Sequence, residues 1–208
     1  MNIIQLHQSN LVYPTVLQQY LGDQAPTTLT ALGNLDILKK GNTLALFCSI
    51  KCPGDLILQT HDLVQALRQI NVTIIGGFHS PIERECLTIL FRGTQPIIIC
   101  LARGIEGMRI RMEYRQPLVE GRLLLLSPFP GNHRRPTVHT TRYRNQFVAA
   151  LADRIVVAYA EPSGKTEQLC RDVLMWGKLL YTLESDANRH LFALGAKPMD
   201  PIHLPEWA

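Results

Sequence analysis

The sequence predicts an α/β fold, a Rossmann-like and mostly parallel sheet with helices on both faces and a short helical lead-in. Three observations predict it. Short, almost wholly apolar runs recur at 44–48 (LALFC), 72–75 (VTII), 96–101 (PIIICL), 122–127 (RLLLLS), 154–159 (RIVVAY) and 178–183 (KLLYTL). Segments of helical period stand among them, at 54–70, 81–91, 142–153, 166–176 and 187–196. Turn residues bound the runs. Parallel strands buried on both faces have this signature, whereas half-solvated strands alternate apolar with polar residues.

Each element has a local reason. VLQQYLG at 16–22 carries apolar residues at helical spacing and stops at Gly22. TTLTALGNLDILKK at 27–40 reads as a second short helix, so residues 1–40 form the helical N-terminal segment. Pro81 opens the 81–91 helix where a missing backbone N–H costs nothing. Residues 41–198 form the Rossmann-like domain, and 199–208 (MDPIHLPEWA without strand or helix signals) an extended tail.

Composition narrows the class. A chain of 208 residues, 46% hydrophobic and 18% charged, is long and apolar enough to bury a core and is not disordered. No apolar stretch approaches the roughly 18 residues needed to span a bilayer, and MNIIQLHQSN lacks the basic-then-apolar pattern of a secretory signal. Five scattered cysteines argue against a disulfide framework, and a cytoplasmic location fits them. The net charge is only +4, but Gly121–Ala152 contains no acidic residue and holds Arg122, Arg134, Arg135, Arg142 and Arg144 with His133 and His139. Such a block suits an anion or nucleic acid, or is simply a solvated basic loop.

Ligands of open α/β sheets bind outside the carboxyl ends of the strands. The loops to inspect are therefore 48–55, 76–81, 102–107, 127–141 and 160–166. The last holds Ser163-Gly164-Lys165-Thr166, like the end of a phosphate-binding loop. The full motif needs a glycine where Tyr159 ends a strand, so triphosphate hydrolysis is not expected. The stretch still follows a strand and opens a helix. Free N–H groups, the helix dipole and Lys165 suit a phosphate or carboxylate there, with Ser163 or Thr166 available as a cap. After the first apolar run come Ser49 and Lys51, both within reach of the same anion. Cys48 and Cys52 lack a second pair to complete a metal site, and no metal or cofactor is expected.

The second run ends in Gly76-Gly77, followed by His79 and Ser80. Glycines allow a ligand to approach the backbone. Glu83 and Glu85 fall in the first helical turn, as complements to the dipole or, more sharply, as a general base or ribose acceptor. Arg134, Arg135, Arg142, Arg144 and Asn145 add phosphate-seeking groups, and Tyr143 or Phe129 could stack on a base. His79, Glu83 and Glu167 are the candidates for a hydrolytic cluster.

These loops, in this order, resemble the DNA-processing protein A family (DprA, also called Smf), over roughly residues 30–198. LGNLDILKKGNTLALFCSIK resembles the lead-in and first strand, with Ser49 at the serine of the family's G-S-R turn. VTIIGG, SPFP at 127–130, RNQFVAALADRIVVAYA at 144–160, SGKTEQL and NRHLFALGAKP follow in register. The family's G-L-A-R-G-I-D loop is here GFHSPIE, and Cys48 and Lys51 replace a glycine and an arginine. LARGIE at 101–106 follows the next strand and matches that motif by coincidence. The resemblance implies a dimer that binds single-stranded DNA and hands it to the RecA recombinase. It places Ser49, Lys51, Gly76, Gly77, Arg144, Asn145, Ser163, Gly164 and Lys165 around the pocket. The superfamily also includes the Lonely Guy phosphoribohydrolases, so a nucleotide sensor or nucleotide N-glycosidase is the alternative, and a structural partner subunit the third reading.

Overall fold

In a computed structural model that describes residues 2–204, nine strands form one sheet. They are β1 (Ile4–His7), β2 (Thr28–Gly33), β3 (Thr43–Cys48), β4 (Thr73–Gly76), β5 (Ile97–Cys100), β6 (Leu123–Ser127), β7 (Arg154–Tyr159), β8 (Leu179–Leu183) and β9 (Lys197–Met199). The spatial order is β1-β2-β6-β5-β4-β3-β7-β8-β9. From β6 to β9 every pairing is parallel; β1 with β2 and β2 with β6 are antiparallel. The α/β, Rossmann-like class read from the sequence is the class found.

The helices are α1 (Val16–Leu21), α2 (Gly54–Leu67), α3 (Pro81–Leu90), α4 (Met112–Val119), α5 (Val138–Leu151), α6 (Lys165–Met175) and α7 (Arg189–Leu194). Alternate residues of each strand supply two separate cores. Ala45 and Phe47 of β3 face α1, α5, α6 and α7 through Leu17, Phe147, Val148, Leu169 and Leu191. Leu44 and Leu46 face α2, α3 and α4 through Leu56, Leu63, Leu87 and Tyr114. Helices on both faces explain why the parallel strands read as unbroken apolar runs.

The expected helix at 27–40 is a correction. Thr28–Gly33 is a strand, and only Leu35–Lys39 turns, as a 3-10 helix capped by the Asn34 side chain. Thr-Leu-Thr-Ala-Leu suits a strand, and Gly33 seals it. Gly33 has φ +121°, and a Cβ there would lie 2.3 Å from the Leu123 carbonyl of β6. The N-terminal segment thus combines one α-helix and two 3-10 turns with two strands that lengthen the sheet. At the other end, Met199 pairs with Leu183 in β9, residues 200–204 continue without strand or helix, and 205–208 of the expected tail lie outside the described residues.

Two buried polar devices matter for stability. Lys178 donates to the carbonyls of Ala149, Ala150 and Ala152 at 2.8, 2.6 and 2.7 Å, closing the carboxyl end of α5, and its ammonium lies 4.0 Å from the Tyr20 ring centre. Cys86, Cys100 and Cys170 are buried, and burial pushes each thiol up to about 12. An unfolded thiol ionises near pH ~8.5. Above that pH the unfolded chain holds fewer protons than the native one, so stability is complete below about pH 8.5 and is lost as pH climbs toward about 12. Lys178, drawn down to about 8 by burial, pulls the opposite way above that pH, but as one group against three. The urea midpoint is therefore expected to drop steeply above about pH 9. A midpoint unchanged up to about pH 11 would contradict this.

Candidate nucleic-acid interface

The strand order reverses direction at β3, with β4 on one side and β7 on the other. Loops at their carboxyl ends diverge there, and two bolts hold them. Ser49, buried after β3, accepts from the Glu161 N–H at 3.0 Å and shares a 3.0 Å hydroxyl hydrogen bond with Thr166. Its own N–H donates to the Tyr159 carbonyl at 2.9 Å. Ser49 therefore fixes the Ser163-Gly164-Lys165-Thr166 loop to the first turn. Ser163 has φ +58°, and Gly164 packs tightly, since a Cβ there would lie 2.8 Å from the Glu161 carbonyl.

Glu83 is the second bolt. One carboxylate oxygen accepts from the Cys48 N–H at 3.0 Å, and the other accepts from the N–H groups of His79 at 2.7 Å and Ser80 at 3.2 Å. Ser80 completes a capping box on α3. Glu83 is buried and lines neither cavity described below. Glu167 is also buried, accepting from the Ser163 N–H at 2.8 Å and from Arg171 at 2.6 Å. Arg171 and that N–H hold its carboxyl below the usual range. The hydrolytic cluster of His79, Glu83 and Glu167 is thus corrected: both carboxylates serve helix N-termini, and only His79 reaches the cleft. Glu83→Ala leaves three N–H groups without their acceptor and is expected to cost about 3 kcal/mol of stability, read as a lowered urea midpoint.

Arg144 lies at the centre of the site. It stands one turn before Phe147 and Val148 on the buried face of α5 and is itself only 4% exposed. Its Nη1 donates to the Cys100 carbonyl at 3.1 Å and its Nε to Asn145 Oδ1 at 2.8 Å. The guanidinium lies against Gly77, where a Cβ would come within 1.9 Å of Nη1 and 2.0 Å of Cζ. Nη2 has no hydrogen-bond partner among the described residues. Burial pulls the guanidinium pKa down, and the Glu83 carboxylate pulls it up.

Arg144 lines a cavity of about 330 Å³ at the ends of β4 and β5. Arg84, Arg103, Arg109 and Arg111 line it too, with His79 and Pro136, and no carboxylate does. A second cavity of about 580 Å³ lies beside it, under Ile50, Asn145, Arg142 and Lys165. His79 and Pro136 belong to both, so the two make one cleft. At the Lys165 end α6 starts with no side-chain cap, and its first N–H groups add a partial positive charge.

Sequence-predicted residues separate accordingly. His79, Gly77, Arg142, Arg144, Asn145 and Lys165 line the cleft. Ser49, Ser80, Ser163, Gly164 and Thr166 form its frame, and Gly76 packs on the Phe78 ring. Lys51, Arg134 and Arg135 are exposed but line neither cavity. The stacking roles expected for Tyr143 and Phe129 are corrected. Tyr143 donates to the Gln24 carbonyl at 2.6 Å and packs edge-on to Phe129, which is 8% exposed. Sequence reasoning missed Arg84, Arg103, Arg109 and Arg111. Their signal was weak, because two acids, Glu106 and Glu113, sit among the arginines of 103–113.

A doubly wound sheet with an arginine-lined cleft at its carboxyl edge defines a Rossmann-like α/β protein. The family model described as DNA recombination-mediator protein A matches residues 4–203, and the chain belongs to that family. Among solved structures, DNA processing protein A from Streptococcus pneumoniae superposes with a TM-score of 0.80 at 21% identity, covering 96% of this chain and 71% of that one. DNA processing protein A from Helicobacter pylori, solved for its single-stranded DNA binding mode, gives 0.76 at 17% identity over 95% and 90%. A molybdenum cofactor binding protein from Rippkaea orientalis gives 0.56 at 10% identity over 78% and 91%, a likeness of fold alone. No curated protein matches the sequence. The chain is thus a DprA-like DNA-processing protein.

Proposed function

We propose that the cleft holds single-stranded DNA, with phosphates drawn to the five arginines at one end and to Lys165 and the start of α6 at the other. The observation that carries the reading is Arg144: a buried guanidinium, flat on Gly77, with a nitrogen unused by the protein in a cavity free of carboxylates. Flexible strands suit a bent path over two joined cavities better than a stiff duplex does. His79, exposed between them, offers a ring on which a base can stack. The single-stranded DNA binding for which the Helicobacter pylori relative was solved agrees with this.

The reading extends to action in the cytoplasm, as a homodimer that passes DNA to a RecA-like recombinase. The family's description as a recombination mediator supports it, and among the described residues no helix is long and apolar enough to cross a membrane.

The test is fluorescence anisotropy with an oligothymidylate, the matching duplex and thymidine monophosphate as competitors, at two salt concentrations. The expected order is single strand, then duplex, then mononucleotide, with affinity falling as salt rises. A mononucleotide that competes as well as the oligomer would instead favour a nucleotide sensor.

A further inference from the structure

The arginine-lined cavity holds more positive charge than one internal phosphate of a strand can match. Its five guanidiniums, Arg84, Arg103, Arg109, Arg111 and Arg144, surround about 330 Å³. Two carboxylates offset part of that charge: Glu83, which acts on Arg144 from outside the lining, and Glu113, 3.6 Å from Arg111. Five cations against two acids leaves three without a counter-charge, gathered where they repel one another. Arg84 and Arg103 donate to neutral carbonyls, those of His79 at 3.0 Å and Arg134 at 3.3 Å, and Arg109 has no hydrogen bond or ion pair among the described residues. Arg144 is buried with Nη2 unpartnered, while Arg84, Arg109 and Arg111 are exposed and free to turn toward a guest. An internal phosphodiester brings one negative charge. A phosphomonoester brings about −1.5 to −2 at pH 7, on three terminal oxygens.

The polar path also stops at this cavity. From Lys165 the cleft runs past His79 and Pro136 to Arg144. Met108 then leads from the arginines into a third cavity of about 520 Å³. Ile3, Leu32, Ile105, Ile110, Leu118 and Val119 wall it, with Arg115 its single charge among the described residues. A strand continued that way would lay its phosphates on apolar side chains, losing water without gaining partners.

We propose that the arginine cavity is a phosphomonoester site, and that it receives the terminal phosphate of the single strand lying in the cleft. The strand runs from its phosphorylated end at Arg144 past His79 to Lys165, with one terminus anchored and the other free. Arg144 supplies a fixed, already desolvated donor, and the exposed arginines supply the second and third charges that only a terminal phosphate can use. The cleft thereby selects the end of a strand over its middle. The strand's place in the cleft rests on the function proposed above; the monoester site does not, because a free nucleotide presents the same group.

The experiment titrates the full chain with oligothymidylates of one length that carry a 5′-phosphate, a 3′-phosphate or hydroxyls at both ends, and with thymidine monophosphate and thymidine. One phosphorylated end is expected to raise affinity about tenfold or more over the hydroxyl strand, and the other to leave it unchanged; which end gains gives the polarity of the strand. In an Arg109→Ala, Arg111→Ala protein, altered only at exposed positions, that advantage should vanish. Lys165→Ala should instead weaken all three strands and keep the advantage. No gain from either phosphate, an equal gain from both, or a gain that survives loss of both arginines would overturn the proposal. Hydroxyl strands that bind as tightly as phosphorylated ones would do so while leaving the DNA reading intact. A protein that binds no strand in any form, yet prefers thymidine monophosphate to thymidine, would sink the DNA reading and leave the monoester site standing.

Discussion

Arg144→Ala is expected to weaken binding of an oligothymidylate by roughly 10- to 100-fold, the worth of about 1.5–3 kcal/mol for a hydrogen bond to a charged group. The guanidinium is already desolvated and already aimed, so little ordering remains to be done when a phosphate arrives. Lysine at the position keeps a charge but loses the flat fork that rests on Gly77, so Arg144→Lys should fall between wild type and alanine. Adding Lys165→Ala should weaken binding further and flatten the dependence on salt, by about 0.7 in the log–log slope for each phosphate that is no longer neutralised. Anisotropy titrations at several salt concentrations read both effects, and the far-ultraviolet spectrum and urea midpoint show whether the variants are folded. Unchanged affinity in a folded Arg144→Ala, Lys165→Ala protein would remove both residues from the interface.

Gly77→Ala should mimic the arginine variant without touching a charge. The added methyl would overlap Arg144 Nη1, Cζ and Nε, at 1.9, 2.0 and 2.5 Å. The flexible end of a side chain can give way where backbone cannot, and Gly77 is not among the glycines of positive φ. The chain should therefore fold, with the guanidinium pushed off its seat and its bond to the Cys100 carbonyl broken. A loss of about tenfold in affinity is expected, on the order of one displaced charge-assisted hydrogen bond. The decisive feature is non-additivity. In an Arg144→Ala background the methyl meets no guanidinium, so Gly77→Ala should cost almost nothing more. A double-mutant cycle with purely additive effects would mean that Gly77 acts on DNA directly rather than by seating Arg144.

The parts of this molecule legible in the sequence are those where one physical demand dominates. The buried parallel strands had to be apolar throughout, so 44–48, 96–101 and 154–159 stood out as runs. β2 did not, because its short Thr-Leu-Thr-Ala-Leu run offers helical and strand spacing alike, and pairing with β6 decides between them. α4 was missed. It buries only Tyr114, Pro117 and Leu118, contains a proline, and has no strong amphipathic stripe. The start of α5 was read a turn late, because its signal lies in the reciprocal caps of Thr137 and Thr140 rather than in apolar residues.

The site divided in the same way. Arg144, Asn145, Lys165 and the paired glycines were found because they lie in short motifs. Arg84, Arg103, Arg109 and Arg111 were not, because they come from α3 and the long β5–α4 connection and converge only in space. Charge counting along the chain favoured Arg134 and Arg135 instead, in an acid-free window, yet both lie outside the cleft lining. Glu83 and Glu167 looked chemical from their positions in first helical turns. Their hydrogen bonds show that the helix N-termini use them.

A crystal structure of the chain with a short oligothymidylate tests the central claim most directly. A phosphate is expected against Arg144 above Gly77, with the strand passing His79 and a further phosphate near Lys165 and the first amides of α6. DNA held on another face, with the arginine-lined cavity left to solvent, would contradict it.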